Sequence, residues 1–263
     1  MANVAESCEE IVTYLNMHVD AVVSSSDDAQ IAKHSVAVSE YFEAVAICEL
    51  LVDAEIDLFF HGLIRSAQTR KWWLLRVKSG ASCPRGVAKV SGIHPQFSAL
   101  IVGQLSLAKE IAALSGDAWL SDVEYEDDFC YGHFLNRYLL DAPKVELEAI
   151  LTRFEVALEG QESIRLALCR NLLMPDKEVC EANFLTLLAN RKKFLAKIEE
   201  QSAYASDALY APNSAIFIEG LAWLKLFERV GVCLEGEYMY CPSPARSTTY
   251  APFKVDGFPG LPL

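Results

Sequence analysis

The residues best suited to chemistry lie between positions 117 and 131. Six carboxylates are interleaved there with four large aromatic side chains, and together they form the acidic–aromatic segment. Clustered carboxylates can transfer protons or bind a metal ion, whereas carboxylates mixed with aromatics can grip a cationic protein surface. The members of the segment are Asp117, Trp119, Asp122, Glu124, Tyr125, Glu126, Asp127, Asp128, Phe129 and Tyr131.

A catalytic or metal-binding site would combine Glu126, Asp127 and Asp128 with His133, which follows them closely in the chain. The same carboxylates are also typical of the first turn of a helix, where they offset the positive end of the helix dipole. On such a helix Phe129 and His133 face the same side. We favour a helix start with a partner-binding surface, and therefore predict no catalytic residue and no metal ligand.

Other catalytic signatures are missing from the sequence. It contains no GxSxG elbow, no P-loop, no GxGxxG motif after a strand and no HExxH motif. The eight cysteines form no CxxC pair and have no histidine at metal-ligand spacing, so we expect free thiols. The sequence thus predicts a protein without a cofactor and without enzymatic activity.

The charge of the chain restricts its partners. With 23 basic and 36 acidic side chains, the net charge is −13 and the isoelectric point is about 4.9. Such a surface repels nucleic acids and anionic membranes and attracts basic proteins. The N-terminus lacks the features of a secretion signal, and no apolar run reaches the roughly 20 residues that span a bilayer. We expect a cytoplasmic protein that binds no nucleic acid directly and no membrane.

Helical periodicity dominates the elements that must position these residues. Ile11, Leu15, His18 and Val22 recur at spacings of three and four, and strand-like alternation occurs only at Glu237–Cys241. We predict an all-α protein with eight to ten helices, either a compact bundle or a short superhelical array, with an irregular C-terminal tail. Besides the first helix, the expected helices lie at about 28–60, 63–77, 95–114, 131–140, 143–159, 161–173, 176–201 and 213–230.

A single all-helical domain is expected over residues 1–263. We divide it into an N-terminal helix (1–26), a helical core (27–231) and an irregular tail (232–263). The tail is expected because these last residues are rich in proline and glycine and show no periodicity. Within the core, Gly62 is expected to kink the chain between two helices.

Three further groups of residues have structural interpretations. Arg191–Lys193 is expected to form a solvated helix face. Adjacent residues on a helix point about 100° apart, so of Trp72 and Trp73 one ring should lie in the core and the other beneath a basic side chain. Glu219–Glu228 is expected to form a packing stripe in which Gly220 allows close approach of another helix.

Four stretches of the chain carry a family resemblance. They are Glu126–Leu135 (EDDFCYGHFL), Phe184–Arg191 (FLTLLANR), Phe217–Arg229 (FIEGLAWLKLFER) and Glu237–Pro244 (EYMYCPSP). In order and spacing, over roughly residues 35–245, they resemble the immunity protein 49 family of bacterial toxin–immunity systems. The resemblance implies an all-helical, non-enzymatic antidote to a toxin encoded beside it, and it carries over no catalytic residue.

The resemblance and the charge indicate the same role. A strongly acidic protein associates quickly with a toxin whose cleft is basic, such as a nuclease or another enzyme directed at nucleic acids or nucleotides. We expect the chain to neutralise a cognate toxin by occluding its active site. The alternative is a helical-repeat adaptor that binds an endogenous protein in a concave groove. The expected partner-binding residues are Asp117, Trp119, Asp122, Glu124, Tyr125, Glu126, Asp127, Asp128 and Tyr131.

Overall fold

The structure is a computed structural model that describes residues 4–201, 207–247 and 249–253. These ranges contain eleven α-helices, one 3₁₀ helix and no strand, which confirms the all-α prediction. The helices are α1 (Val4–Ser24), α2 (Asp28–Val52), α3 (Ile56–Lys78), α4 (His94–Ile101), α5 (Leu105–Leu114), α6 (Glu126–Leu139), α7 (Lys144–Ala157), α8 (Ile164–Leu173), α9 (Lys177–Glu199), α10 (Tyr210–Ala215), α11 (Ile218–Arg229) and the 3₁₀ helix η1 (Ser243–Arg246).

The predicted helix 28–60 is divided into α2 and the start of α3. Helix α2 ends at Val52, and α3 begins at Ile56. Between them the chain turns at Ala54, which has a positive φ of 57°. Carboxylates crowd this end of α2, and no basic side chain occupies its last turn. Because negative charge at a helix C-terminus opposes the helix dipole, the electrostatics favour a turn here over continuation.

Two other predicted helices are also divided. The predicted helix 95–114 consists of α4 and α5, which meet at Gly103, a residue with a positive φ of 71° that disfavours other side chains. The predicted helix 213–230 consists of α10 and α11, with Ile216 extended between them. Apolar residues continue across both turns, so periodicity alone could not reveal them.

The α2–α3 hairpin depends on a close approach at Gly62. A Cβ atom added to Gly62 would lie 2.7 Å from the Cβ of Ala46, well inside ordinary van der Waals contact. Helix α3 runs through Gly62 without interruption, so the predicted boundary between two helices at this residue is absent. The glycine serves instead to let two helix backbones approach each other, as small residues do at close helix contacts.

The main core is organised around α11. Its Trp223 and Phe227 are fully buried, and α11 packs against α4 and α9. A Cβ on Gly220 would lie 2.8 Å from the Sγ of Cys241, so the close contact at this glycine is with a side chain that follows α11 and not, as predicted, with another helix. Burying each large apolar side chain contributes about 1.5–3 kcal/mol relative to leaving it exposed.

The N-terminal helix packs on α2 beside a second apolar cluster. Leu15 and Val19 of α1 meet Val38 of α2, and Trp73 of α3 is buried in the same cluster. The neighbouring Trp72 is only partly buried and lies beneath the guanidinium of Arg76, 5.4 Å from the ring centroid. The prediction that one tryptophan ring lies in the core and the other beneath a basic side chain is confirmed.

The described part of the predicted tail packs on the core. Tyr238 and Cys241 are buried and pair in one isolated antiparallel bridge, at the position of the predicted strand. Tyr250 stacks on Phe60 at 4.8 Å and donates a hydrogen bond to the carbonyl of Val102 at 2.8 Å. Residues 248 and 254–263 lie outside the described residues. Of the helices described, none combines the length and apolar content that crossing a membrane requires.

Candidate functional site

The acidic–aromatic segment joins α5 to α6 and then forms the first turn of α6. Tyr125 is extended (φ −68°, ψ 147°) and precedes the helix, whose first turn contains Glu126, Asp127 and Asp128. These charges lie at the positive end of the helix dipole, an interaction that contributes about 0.3–1 kcal/mol per exposed charge. The predicted helix start at these carboxylates is therefore confirmed.

Three members of the segment are exposed, Asp117, Asp122 and Tyr125, and Asp127 lies partly buried beside them; we call these four residues the exposed rim. Tyr125 is the most prominent, with 81% of its surface exposed. Asp122 forms an ion pair with the outward-facing Arg85 at 2.5 Å. Asp117 and Asp127 form no ion pair within the described residues. The rim thus offers an aromatic ring and negative charge to the outside.

Glu124 faces inward and is removed from the predicted partner-binding set. It is buried, and its Oε2 accepts a hydrogen bond from the backbone N–H of Ser91 at 2.9 Å. Its carbonyl oxygen accepts a hydrogen bond from the Nε1 of Trp119 at 3.0 Å. These contacts attach the acidic–aromatic segment to the loop between α3 and α4, which is a structural role.

Tyr131 is also removed from that set, because it is buried in the core with 2% of its surface exposed. Its hydroxyl donates to the Oε1 of Glu219 and accepts from the Nε1 of Trp223, both at 2.8 Å. Burial and the charge of Glu219 raise the pKa of Tyr131 well above its ordinary value, so the phenol stays neutral. A partner cannot contact this ring without disrupting the core.

Arg165 of α8 connects the first turn of α6 to the core. Its guanidinium binds both oxygens of Glu219, at 2.8 and 2.9 Å, and Asp128 at 3.1 Å. It also lies over the ring of Tyr131, 4.7 Å from the centroid. Burial disfavours the ionised carboxylate of Glu219 and by itself would raise the pKa of this group. The charge and hydrogen bonds of Arg165 outweigh burial and hold the pKa of Glu219 below its ordinary value. Asp128 is thus paired with Arg165, although about 40% of its side chain remains exposed.

Arg153 of α7 engages two further members of the segment. Its Nη2 lies 2.7 Å from an oxygen of Glu126, and its guanidinium covers the rings of Phe129 (4.9 Å) and Trp119 (5.8 Å). Glu126 and Trp119 are partly buried as a result. Both residues lie beside the exposed rim. Arg153 already pairs with the carboxylate of Glu126 and covers one face of the Trp119 ring, so neither group is free for a partner.

The catalytic alternative needed Glu126, Asp127, Asp128 and His133 to meet in a cleft. His133 stacks on Phe129 at 5.2 Å, while Glu126 and Asp128 are paired with different arginines. None of the four residues lines either of the two clefts described below. Among the described residues, no group of three potential metal ligands is close enough to hold an ion. The geometry does not assemble that site.

A different concave site lies on the other side of the loop between α3 and α4. A cleft of about 830 Å³ is bounded by that loop, α2, α9 and α10, and it adjoins a second cleft of about 530 Å³. Its wall includes polar, charged and apolar side chains from separated parts of the chain. Four residues line both clefts: His94, Arg191, Phe194 and Asn213.

His94 and Glu43 form the polar centre of this cleft. The Nδ1 of His94 lies 3.7 Å from the Oε2 of buried Glu43, whose Oε1 accepts hydrogen bonds from Ser98 at 2.6 Å and Ser66 at 3.2 Å. The imidazole is 60% exposed, but that surface faces the cleft, which lowers its solvation. Although this burial disfavours the charged imidazole, the nearby carboxylate of Glu43 raises the pKa of His94 above its ordinary value.

Sequence reasoning did not find these cleft residues. Glu43 and His94 are 51 positions apart, so no local spacing relates them. Arg191 was expected to be solvated, but it donates to the carbonyl of Asn213 and covers the ring of Phe217 at 5.0 Å. Its neighbours Lys192 and Lys193 are exposed, as expected.

A family model described as immunity protein 49 matches residues 27–245. The chain belongs to this family. The match contains all four stretches that carried the resemblance, and it extends from the start of α2 to the 3₁₀ helix. No curated protein and no solved structure matched the chain. As a member of this family it is an immunity protein, and a toxin is the partner that such membership implies.

Proposed function

We propose that this immunity protein binds one cognate toxin and neutralises it by covering its active site, and that the exposed rim makes the central contact. Membership of the immunity protein 49 family supports the first part. Tyr125 is the observation that carries the second, because its ring is 81% exposed and lies beside carboxylates, which makes it available as an aromatic anchor for a partner.

The groups around Tyr125 suit a contact with a basic surface. Asp117 and Asp127 have no ion-pair partner within the described residues, so their carboxylates are available to a partner's arginine or lysine side chains. Glu126 and Asp128 are held by arginines on the inner side and stiffen the turn that presents Tyr125. A rigid, partly preordered contact loses less conformational entropy on binding.

The proposed toxin has a cationic active-site cleft, as nucleases and other enzymes directed at nucleic acids or nucleotides do. The net charge of −13 would steer such a toxin towards this protein and raise the association rate. We place the encounter in the cytoplasm and propose that the immunity protein has no catalytic part in it. Inhibition then depends on occupancy of the toxin alone.

Co-expression with the product of the neighbouring toxin gene tests this function. Wild-type protein is expected to restore growth of cells that produce the toxin and to co-purify with it. Tyr125→Ala should weaken both effects, while Met174→Ala should weaken neither. Met174 is a suitable control because it is 76% exposed, close to the exposure of Tyr125, and lies between α8 and α9, outside the exposed rim. Failure of the wild-type protein to protect or to bind the toxin would refute the proposal.

A further inference from the structure

The larger cleft reverses the charge balance of the chain. Whereas the whole sequence has 23 basic and 36 acidic side chains, the cleft is lined by five basic and three acidic ones. The basic residues are Lys33, Arg70, Arg85, Lys89 and Arg191, of which Arg85 is already paired with Asp122 of the exposed rim, and the acidic residues are Glu40, Glu43 and Asp207. A concave site with this excess concentrates anions, because its low-dielectric walls focus the field.

Two of the three acidic residues of the cleft accept hydrogen bonds from neutral groups, which hold their carboxylates in place. Glu43 is bound by Ser66 and Ser98 and faces His94. Asp207 accepts a hydrogen bond from its own backbone, at the N–H of Leu209. Burial, and then the charge of Glu43, raises the pKa of Glu40 above its ordinary value.

Arg70 supplies a positive charge from beneath the cleft. It is buried, and its guanidinium donates to the carbonyls of Val87 at 2.6 Å and Lys89 at 3.3 Å. Within the described residues it contacts no carboxylate. Burial lowers the pKa of Arg70 to about 10, so the side chain remains protonated at neutral pH. A buried charge without a counter-charge is costly, and an anion in the cleft would offset that cost.

We propose that this cleft binds a small organic anion that carries a phosphate or carboxylate group, with Lys33, Lys89 and Arg191 contacting the charged group. Lys33 and Lys89 form no ion pair within the described residues and are therefore available. Phe194, 53% exposed on the wall, offers an apolar face to the organic part of the ligand. The cleft volume of about 830 Å³ is within the range of small-molecule sites, roughly 300–1,000 Å³.

Calorimetric titration of the purified full-length protein, without any toxin, tests this proposal. The probes are inorganic phosphate, adenosine 5′-diphosphate and citrate, which separate a bare phosphate, a phosphorylated metabolite and a polycarboxylate. At least one probe should bind saturably at one site per chain. Lys89→Ala and Lys33→Ala should each weaken that probe about tenfold, because each removes one charge-assisted contact. Lys192→Ala, an equal charge change on α9 outside the cleft, should leave the affinity unchanged.

The position of the ligand is checked by the imidazole signals in nuclear magnetic resonance spectra. Saturating probe should shift the signals of His94, which faces the cleft, and leave those of His61, which lies on α3 outside it. Circular dichroism should show that both lysine variants remain folded. The proposal is overturned if no probe saturates, or if Lys192→Ala weakens binding as much as Lys89→Ala. Neither result depends on whether the protein inhibits a toxin.

Discussion

The hydroxyl of Tyr131 donates a hydrogen bond to the buried carboxylate of Glu219 at 2.8 Å, across 88 positions of the chain. This contact joins α6 to α11 and lies next to the bidentate pair between Arg165 and Glu219. The acidic–aromatic segment therefore has two roles. Tyr131 stabilises the core from within α6, whereas Tyr125, which directly precedes α6, is exposed to solvent.

Removing the Tyr131 hydroxyl should therefore destabilise the fold without changing the proposed contact surface. Tyr131→Phe leaves Trp223 Nε1 without its acceptor and Glu219 with one hydrogen bond fewer. We expect the free energy of unfolding to fall by about 1–3 kcal/mol, the cost of an unsatisfied buried polar group. Urea denaturation measures this change. An unchanged midpoint, or a loss of toxin affinity in the fully folded variant, would contradict the division of roles.

The close approach of α2 and α3 gives a second prediction. Gly62→Ala places a methyl group 2.7 Å from the Cβ of Ala46, so the two helices must separate. Overpacking of this kind costs about 1–3 kcal/mol in the free energy of unfolding. The double variant Gly62→Ala/Ala46→Gly should recover part of that loss, because the two positions are in direct contact. Independent, additive effects of the two substitutions would argue against the contact.

The histidine pair between α1 and α2 should make stability depend on pH. The Nδ1 atoms of His18 and His34 are 2.8 Å apart, so one ring must donate and the other must accept. Burial, followed by the charges of His34 and Lys33, lowers the pKa of His18 below its ordinary value. Near pH 6 the folded state then binds fewer protons than the unfolded state, and stability falls as the pH falls below about 6.5.

Denaturation of the wild type and of His18→Gln at pH 7.5 and pH 5.5 checks this prediction. The wild type should lose more stability between the two values than His18→Gln does. His61→Gln serves as the matched control, since His61 lies on α3 and is not part of the pair. Equal pH dependence in wild type and His18→Gln, or the same reduction in His61→Gln, would show that the pair is not responsible.

Charge reversal on the exposed rim should slow association with the toxin. The triple variant Asp117→Lys/Asp122→Lys/Asp127→Lys removes negative charge that is not used by the core arginines. We expect the association rate to fall about tenfold or more and to become less dependent on salt. Stopped-flow kinetics provides the measurement. Reversal of Glu178, Glu200 and Glu235, which are exposed on other elements, changes the net charge equally and should have a smaller effect.

Much of the fold followed from local patterns, because helix periodicity and helix starts are local properties. Glu126, Asp127 and Asp128 identified the start of α6, and the adjacent tryptophans identified one core ring and one covered ring. The role of Gly62 was missed because a kink and a close packing contact have the same local sequence. The residue that distinguishes the two roles is Ala46, which contacts Gly62 from another helix and is therefore not part of the local sequence around it.

The site was less predictable for a related reason. Composition showed that acidic and aromatic residues cluster at 117–131, but it could not show which of them face inward. Tyr131 is buried because Glu219 and Trp223 lie above it, and both are about ninety positions away. The same holds for the Glu43–His94 pair, whose partners meet only when α2 and α4 both pack against α3.

Amide hydrogen exchange of the protein, measured with and without its cognate toxin, tests the central claim most directly. Binding at the exposed rim should slow exchange at residues 116–128, most strongly near Tyr125 and Asp127. Exchange in the outer face of α1 should remain unchanged. Protection confined to other elements, with the exchange of residues 116–128 unaltered in a fully formed complex, would contradict the account.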